Sequence, residues 1–191
     1  MSDPAERPLS SPPPAAPLRL GLLLFLVSIG VMFIAVLIAY AVTRTSQTNW
    51  VGAGIPPGLW ASTALIAGLS LMMHRARRGI LDNHPRRAQA SLRIVFALAL
   101  GFVVAQALNW RAIYTSETMS HTLYAATFYM LTGLHALHVA GGVVPLVIVS
   151  LKAGRGEYSS SRAEAVRLLT IYWDFIGVVW LVLLAALWLG R

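Results

Sequence analysis

Two histidines three residues apart, His135 and His138, lie in the middle of a long uncharged run, and one acid, Asp174, stands alone inside another. In a bilayer an ionisable group at a span centre costs about 2.5–3.5 kcal/mol on insertion scales, so such groups are rare and carry a role. At three-residue spacing the two histidines share one helix face. Three chemistries compete for them. The pair can be a polar patch that hydrogen-bonds neighbouring helices or a partner subunit. It can ligate haem; but a b-type haem is clamped by histidines from two facing helices, and two on one helix cannot reach both faces of the ring. The second ligand would have to be His74 or His121, both at span ends. The third use is a proton route through His138 and Asp174, yet an isolated pair makes no path across a membrane.

Other chemistry is scarce. The chain has no cysteine, which removes disulfides, thiolate catalysis, iron–sulfur ligation and Cys-type zinc sites. It has no HExxH, no paired carboxylates and no phosphate-cradling glycine loop. Gly101, Ala105, Ala136, Ala140 and Gly141 give small-xxx-small spacings, a signal for close helix contact. The residues describe an accessory or scaffolding membrane subunit with no catalytic residues of its own.

The elements that must position these groups follow from composition. Hydrophobic residues are 57% of the 191, charged residues 12%, and mean hydropathy is +0.68. Soluble domains carry about 25% charged residues. A globule of this size leaves too much surface in water to hide so many apolar side chains, and a disordered chain would be polar. The expected fold is an all-α integral membrane bundle of five transmembrane helices. Crossing a core of about 30 Å takes about 20 apolar residues, and five stretches meet or approach that: residues 20–42, 58–73, 94–110, 118–151 and 168–190. The uncharged run of the second reaches back to Thr45, with Trp50 and Trp60 as interfacial anchors. Pro56 and Pro57 suit a helix start, and Pro145 should kink the fourth span. Residues 1–17 hold six of the ten prolines and are expected to be a disordered tail, not a signal peptide; residues 18–191 form the membrane domain.

Basic residues set the orientation. With five spans, the N-terminus and the second and fourth loops share a side that carries 12 of the 15 Lys and Arg residues, leaving Arg44, Arg111 and Arg191 opposite. The positive-inside rule then makes the N-terminus cytoplasmic. His74, Arg75, Arg77 and Arg78, with the rest of the MHRARRGILDNHPRR stretch, are expected at the cytoplasmic headgroups, and no nucleic-acid partner is implied. Five spans do not halve into matching repeats, which counts against a transporter.

The fourth span reads FYMLTGLHALHVAGG, residues 128–142. It resembles the Thr-Gly-(Phe/Leu)-His-(Gly/Ala)-Leu-His-Val signature of subunit III of haem–copper oxidases. YWDFIGVVWLVLL, residues 172–184, is similar to that family's Tyr-Trp-His-Phe-x-Asp-x-x-Trp segment. LWASTALIAGLSLMMHRARR in the second span, LGFVVAQALNW with Gln106 in the third and VSIGVMFIAVLIAY in the first resemble further family segments. The likeness covers about residues 18–190 in order.

The resemblance implies a five-span form of a subunit that carries no haem or copper of its own. It implies partners: catalytic subunit I, subunit II in the same complex, and structural phospholipid, with haem and copper on the partner subunits. It implies stabilisation of subunit I, support of proton entry, and a bacterial-type inner membrane. His135, His138, Asp174 and Gln106 become the candidate polar contacts between helices or to lipid, with Asp174 pairing with His138. The departures are Gly30 and Asn109 where the family has glutamates, Asp174 for its histidine and Gly177 for its aspartate. They put a proton or lipid role in question and mark a divergent member. Two alternatives stay open: a subunit III-like accessory protein of a nitric oxide reductase system, and a membrane haem or quinone anchor of a dehydrogenase.

Overall fold

The computed structural model describes residues 15–46, 56–115 and 122–190. Most of the expected tail, and Trp50, His121 and Arg191, lie outside the described residues. The described chain is helical throughout: α1 (Ala15–Ser46), α2 (Gly58–Leu81), α3 (Pro85–Tyr114), α4 (Leu123–Gly154) and α5 (Glu164–Leu189), with a 3₁₀ turn at Ser160–Arg162.

Local chemistry sets the helix ends. Pro57 stands at the N-cap of α2, where its missing N–H costs nothing. The α2–α3 turn is three residues long. Its Asn83 adopts φ +54°, a left-handed conformation that asparagine tolerates. Gly79 is needed there for another reason: a Cβ at that position would lie 2.9 Å from the Ala88 backbone nitrogen, so the tight approach of α3 to α2 requires glycine. Thr122 caps α4, its Oγ1 accepting from the Ala125 N–H at 3.2 Å. Pro145 lies inside α4 without dividing it. Helices α2 and α3 extend past the apolar runs into the arginine-rich turn, because a helix satisfies its own backbone and need not stop where the hydrocarbon does.

Helices α2, α3, α4 and α5 close a ring, each packed on the next, and α1 lies outside it against α5 with a lighter touch on α4. The ring buries the large aromatics Trp173, Trp180, Phe102, Phe128 and Tyr124. Phe102 and Trp180 meet edge to face at 5.1 Å, the favoured arrangement for two π-systems. Helix α1 turns Leu23, Leu24, Val31 and Ile34 outward, as a helix solvated by lipid does. At one end Arg19 of α1 pairs with Glu164 of α5 at 2.5 Å. At the other the Arg44 Nε–H donates to the Gly190 carbonyl at 3.0 Å.

Four helices, α1, α3, α4 and α5, are long and apolar enough on their own to cross a membrane. With 24 residues, α2 reaches about 36 Å at about 1.5 Å per residue and is long enough; it is less apolar because Ser62, Thr63, Ser70 and the His74–Arg78 segment fall within it. Its polar side chains mostly turn towards α3 and α5. The chain is a multi-pass helical membrane bundle.

Candidate functional site

Three polar groupings interrupt the apolar interior. The deepest joins α2 to α3. Gln106 Oε1 accepts from Ser62 Oγ at 3.1 Å and from Asn109 Nδ2 at 3.0 Å, and Asn109 Nδ2 lies 3.3 Å from Ser62 Oγ. All three side chains are buried. Gly58 makes room for the Asn109 amide, since a Cβ there would collide with it. The cluster is neutral, so it links helices at low dielectric without the cost of a buried charge.

The second grouping surrounds the histidine pair of α4. His135 is fully buried, with rings of Phe33, Phe102 and Trp180 at 6.2, 5.5 and 5.1 Å, and neither of its ring nitrogens has a hydrogen-bond partner among the described residues. His138 is half-buried and lies 5.4 Å from Phe33. Its Nδ1 is 2.7 Å from the Leu134 carbonyl, which places the proton on Nδ1 because a carbonyl can only accept. The Tyr172 hydroxyl donates to the His138 carbonyl at 2.6 Å. This contact depends on Gly142, where a Cβ would come within 2.5 Å of the Tyr172 ring.

The third grouping corrects an expectation. Asp174 does not pair with His138. Its Oδ2 lies 2.9 Å from His74 Nε2 and its Oδ1 accepts from Ser70 Oγ, both on α2. Helix geometry explains the change. Residues two apart on a helix point about 200° away from each other, so with Tyr172 turned to α4, Asp174 faces the other way, to α2. The pair sits on the outer face of the ring, 45% and 37% exposed for the His74 and Asp174 side chains.

Further hydrogen bonds staple the ring: Trp180 Nε1–H to Thr63 Oγ1 at 3.0 Å, Trp110 Nε1–H to Thr132 Oγ1 at 2.9 Å and the Tyr129 hydroxyl to the Trp110 carbonyl at 3.0 Å. Sequence reasoning missed Ser62, Thr63, Ser70 and Tyr172 as partners. The only signal for the three α2 residues was hydroxyl groups recurring along that helix, and Tyr172 of α5 gave none.

An apolar groove of about 570 Å³ opens between α1, α4 and α5. Leu22 and Phe25 form one wall, Gly141, Gly142 and Pro145 the floor, and Lys152 and Tyr158 line it too. Burial, then the neighbouring Glu157, pushes the Tyr158 phenol above its ordinary pKa. The α2–α3 turn and the α4–α5 connection share one end of the bundle: Gly79, Ile80, Asn83 and Ala88 face Ala153, Gly156 and Tyr158 across a hollow of about 220 Å³. Eleven of the described basic residues lie at that end, and Arg44 and Arg111 at the other. Arg75 and Arg78 are exposed there, and Arg77 is half-buried with its field acting on Glu164.

Among the described residues no three His, Asp or Glu side chains gather to hold a metal. His74 and Asp174 offer two donors, and His135 is walled by aromatic rings, so the donor set suits hydrogen bonding better than ligation.

Comparison with known proteins accords with this arrangement. The family model for cytochrome c oxidase subunit III matches residues 13–190. Cytochrome c oxidase subunit 3 of Synechocystis sp. is 28% identical over 176 residues, spanning 88% of this chain and 74% of its own length. That of Thermostichus vulcanus is 28% identical over 174 residues, 89% of this chain and 86% of its own. The rabbit protein, from Oryctolagus cuniculus, is 28% identical over 186 residues, 91% and 70%.

Proposed function

Since this chain belongs to the cytochrome c oxidase subunit III family, it is a subunit III of a haem–copper oxidase, and we propose that it works without a redox centre of its own, as the scaffold that stabilises catalytic subunit I. The observation that carries this reading is the family match over nearly the whole chain, joined to interhelical hydrogen bonds such as Ser62–Gln106 and Trp180–Thr63 in its interior. The relatives do not favour the nitric oxide reductase or dehydrogenase-anchor readings. Subunit family and spanning helices together make it part of a membrane complex with other oxidase subunits.

Finer assignments complete the proposal. Haem and copper sit on the partner subunits, subunit II shares the complex, and the membrane is a bacterial-type inner one. The N-terminus is cytoplasmic; the gathering of eleven basic residues at one end supports this. Gln106, His135 and His138 serve as internal contacts of the bundle. Asp174 and His74 mark the face that meets subunit I, because a half-exposed carboxylate at membrane depth is costly against lipid and inexpensive against a hydrogen-bond donor. Structural phospholipid lies in the groove of α1, α4 and α5, whose Lys152 suits a phosphate.

The test is co-purification of the tagged chain in mild detergent from its native membrane. Recovery of a haem–copper subunit I in equal amount is expected. Recovery alone, or with a flavin or iron–sulfur dehydrogenase, would sink the proposal.

A further inference from the structure

A second hollow, of about 370 Å³, opens at the outer side of the α2–α3 hairpin. His74, Arg75 and Arg78 line it from α2, and His84 and Arg87 from the start of α3, so the hollow borders the His74–Asp174 pair. Arg75, Arg78 and Arg87 are ion-paired with no carboxylate among the described residues; Asp82 lines the hollow and is also unpaired there. Leu71 and Met72 form the wall nearer the membrane centre, and Leu71 is among the most exposed leucines of the chain. Three guanidinium groups therefore surround a space with an apolar side one turn away.

An independent feature points to an anion. Helix α3 begins His84-Pro85-Arg86-Arg87, with no side-chain cap and no acid in its first turn. Positive side chains at the positive end of a 30-residue helix repel its dipole. A bound anion at that end relieves the repulsion, as helix N-termini commonly do for phosphate. Gly79 brings the α3 start against α2, so the Arg78 and Arg87 side chains converge.

We propose that this hollow is a binding site for the phosphate of an anionic phospholipid, with an acyl chain running down over Leu71 and Met72. The proposal rests on the headgroup reading of Arg75 and Arg78 above, and sharpens it from a diffuse charge to a site. It separates two arginines that the sequence alone cannot. Arg77 lies on the same helix at the same depth but does not line the hollow.

The probe is phosphatidylglycerol in phosphatidylcholine nanodiscs carrying the intact complex, with lipid retained per complex counted by native mass spectrometry. Arg78→Gln and Arg87→Gln should each weaken one phosphatidylglycerol site by about fivefold, the weight of one basic residue at a membrane surface, read as the loss of that one lipid from the count as phosphatidylglycerol is diluted. Arg77→Gln, an equal loss of charge, should leave it within about twofold. Arg78→Lys should restore most of it, since Lys also binds phosphate as a point charge. Counting per intact complex keeps any loss of folding out of the comparison. Equal losses in all three glutamine variants would leave the headgroup reading standing and overturn the site. Displacement of the lipid by inorganic phosphate at equal concentration would give the hollow to a free anion and overturn the lipid assignment.

Discussion

Two polar clusters hang on α2, at Ser62 and at Ser70, and they are built in opposite ways. Ser62 with Gln106 and Asn109 is neutral and buried. Ser70 with His74 and Asp174 is ionisable and half-exposed on the outer face. Eight residues along a helix turn the side chain by about 80°, so the first serine looks into α3 and the second along the edge that α5 shares with the outside. Neutral amides can hold a bundle together at low dielectric, because once paired they leave no charge to solvate. A carboxylate–imidazole pair left at the surface of a membrane bundle is better suited to meeting something else. On the reading proposed above, the inner cluster belongs to the fold and the outer one to the contact with subunit I.

The largest effect should come from breaking the inner cluster. Gln106→Leu removes the acceptor shared by Ser62 and Asn109. Stranding buried donors costs about 1–3 kcal/mol, and the residual Asn109–Ser62 contact at 3.3 Å keeps the loss near about 2 kcal/mol. The expected result is a lower thermal midpoint of the chain in detergent, with the fraction that stays folded still joining its partners. A variant that keeps its midpoint but loses its partners would reverse the roles assigned to the two clusters.

Asp174→Asn should do the opposite. The His74–Asp174 pair lies on the outer face and leaves the buried packing untouched, so the midpoint of the isolated chain should move less than in Gln106→Leu. Recovery of subunit I should fall by about tenfold, since a charged group at an interface is expensive to leave mismatched. Ser70→Ala, which keeps the charge, should fall between Asp174→Asn and the unaltered chain. Unchanged recovery in Asp174→Asn would remove the outer face as the docking face.

The contrast was only partly legible in the sequence. The apolar runs located the helices because a bilayer demands length and apolarity and little else. The helix ends are not read from those runs: α3 starts at Pro85, whereas the apolar run begins at residue 94, since a helix runs on through headgroups without penalty. The types of the site residues were legible too, as ionisable or amide groups in a hydrocarbon setting stand out. Which helix each would meet was not. Spacing tells which residues share a face, and His135 and His138 do; it does not tell which neighbour that face meets. Asp174 was therefore set against His138, when the rotation of α5 fixed by Tyr172 and Gly142 turns it to His74. Serine and threonine were passed over because a hydroxyl can return its hydrogen bond to its own helix, as Thr63 does to the Leu59 carbonyl at 2.8 Å, and so announces nothing.

Thr63 also offers the finest test of the comparison, because its hydroxyl accepts from the Trp180 indole while staying within the fold. Thr63→Val keeps the side-chain shape and removes that acceptor. Interhelical hydrogen bonds of this kind in membrane proteins average about 0.6 kcal/mol, so the midpoint should fall by less than in Gln106→Leu. Trp180 would still hold its edge-to-face contact with Phe102 at 5.1 Å, and Trp180→Phe should therefore cost more than Thr63→Val, through packing lost as well as the hydrogen bond. If the two variants proved equal, the hydrogen bond and not the aromatic packing would be what fixes α5 against α2. The outward position of Asp174 would then rest on the Thr63 hydroxyl as well as on Tyr172, and Thr63→Val would weaken partner recovery too.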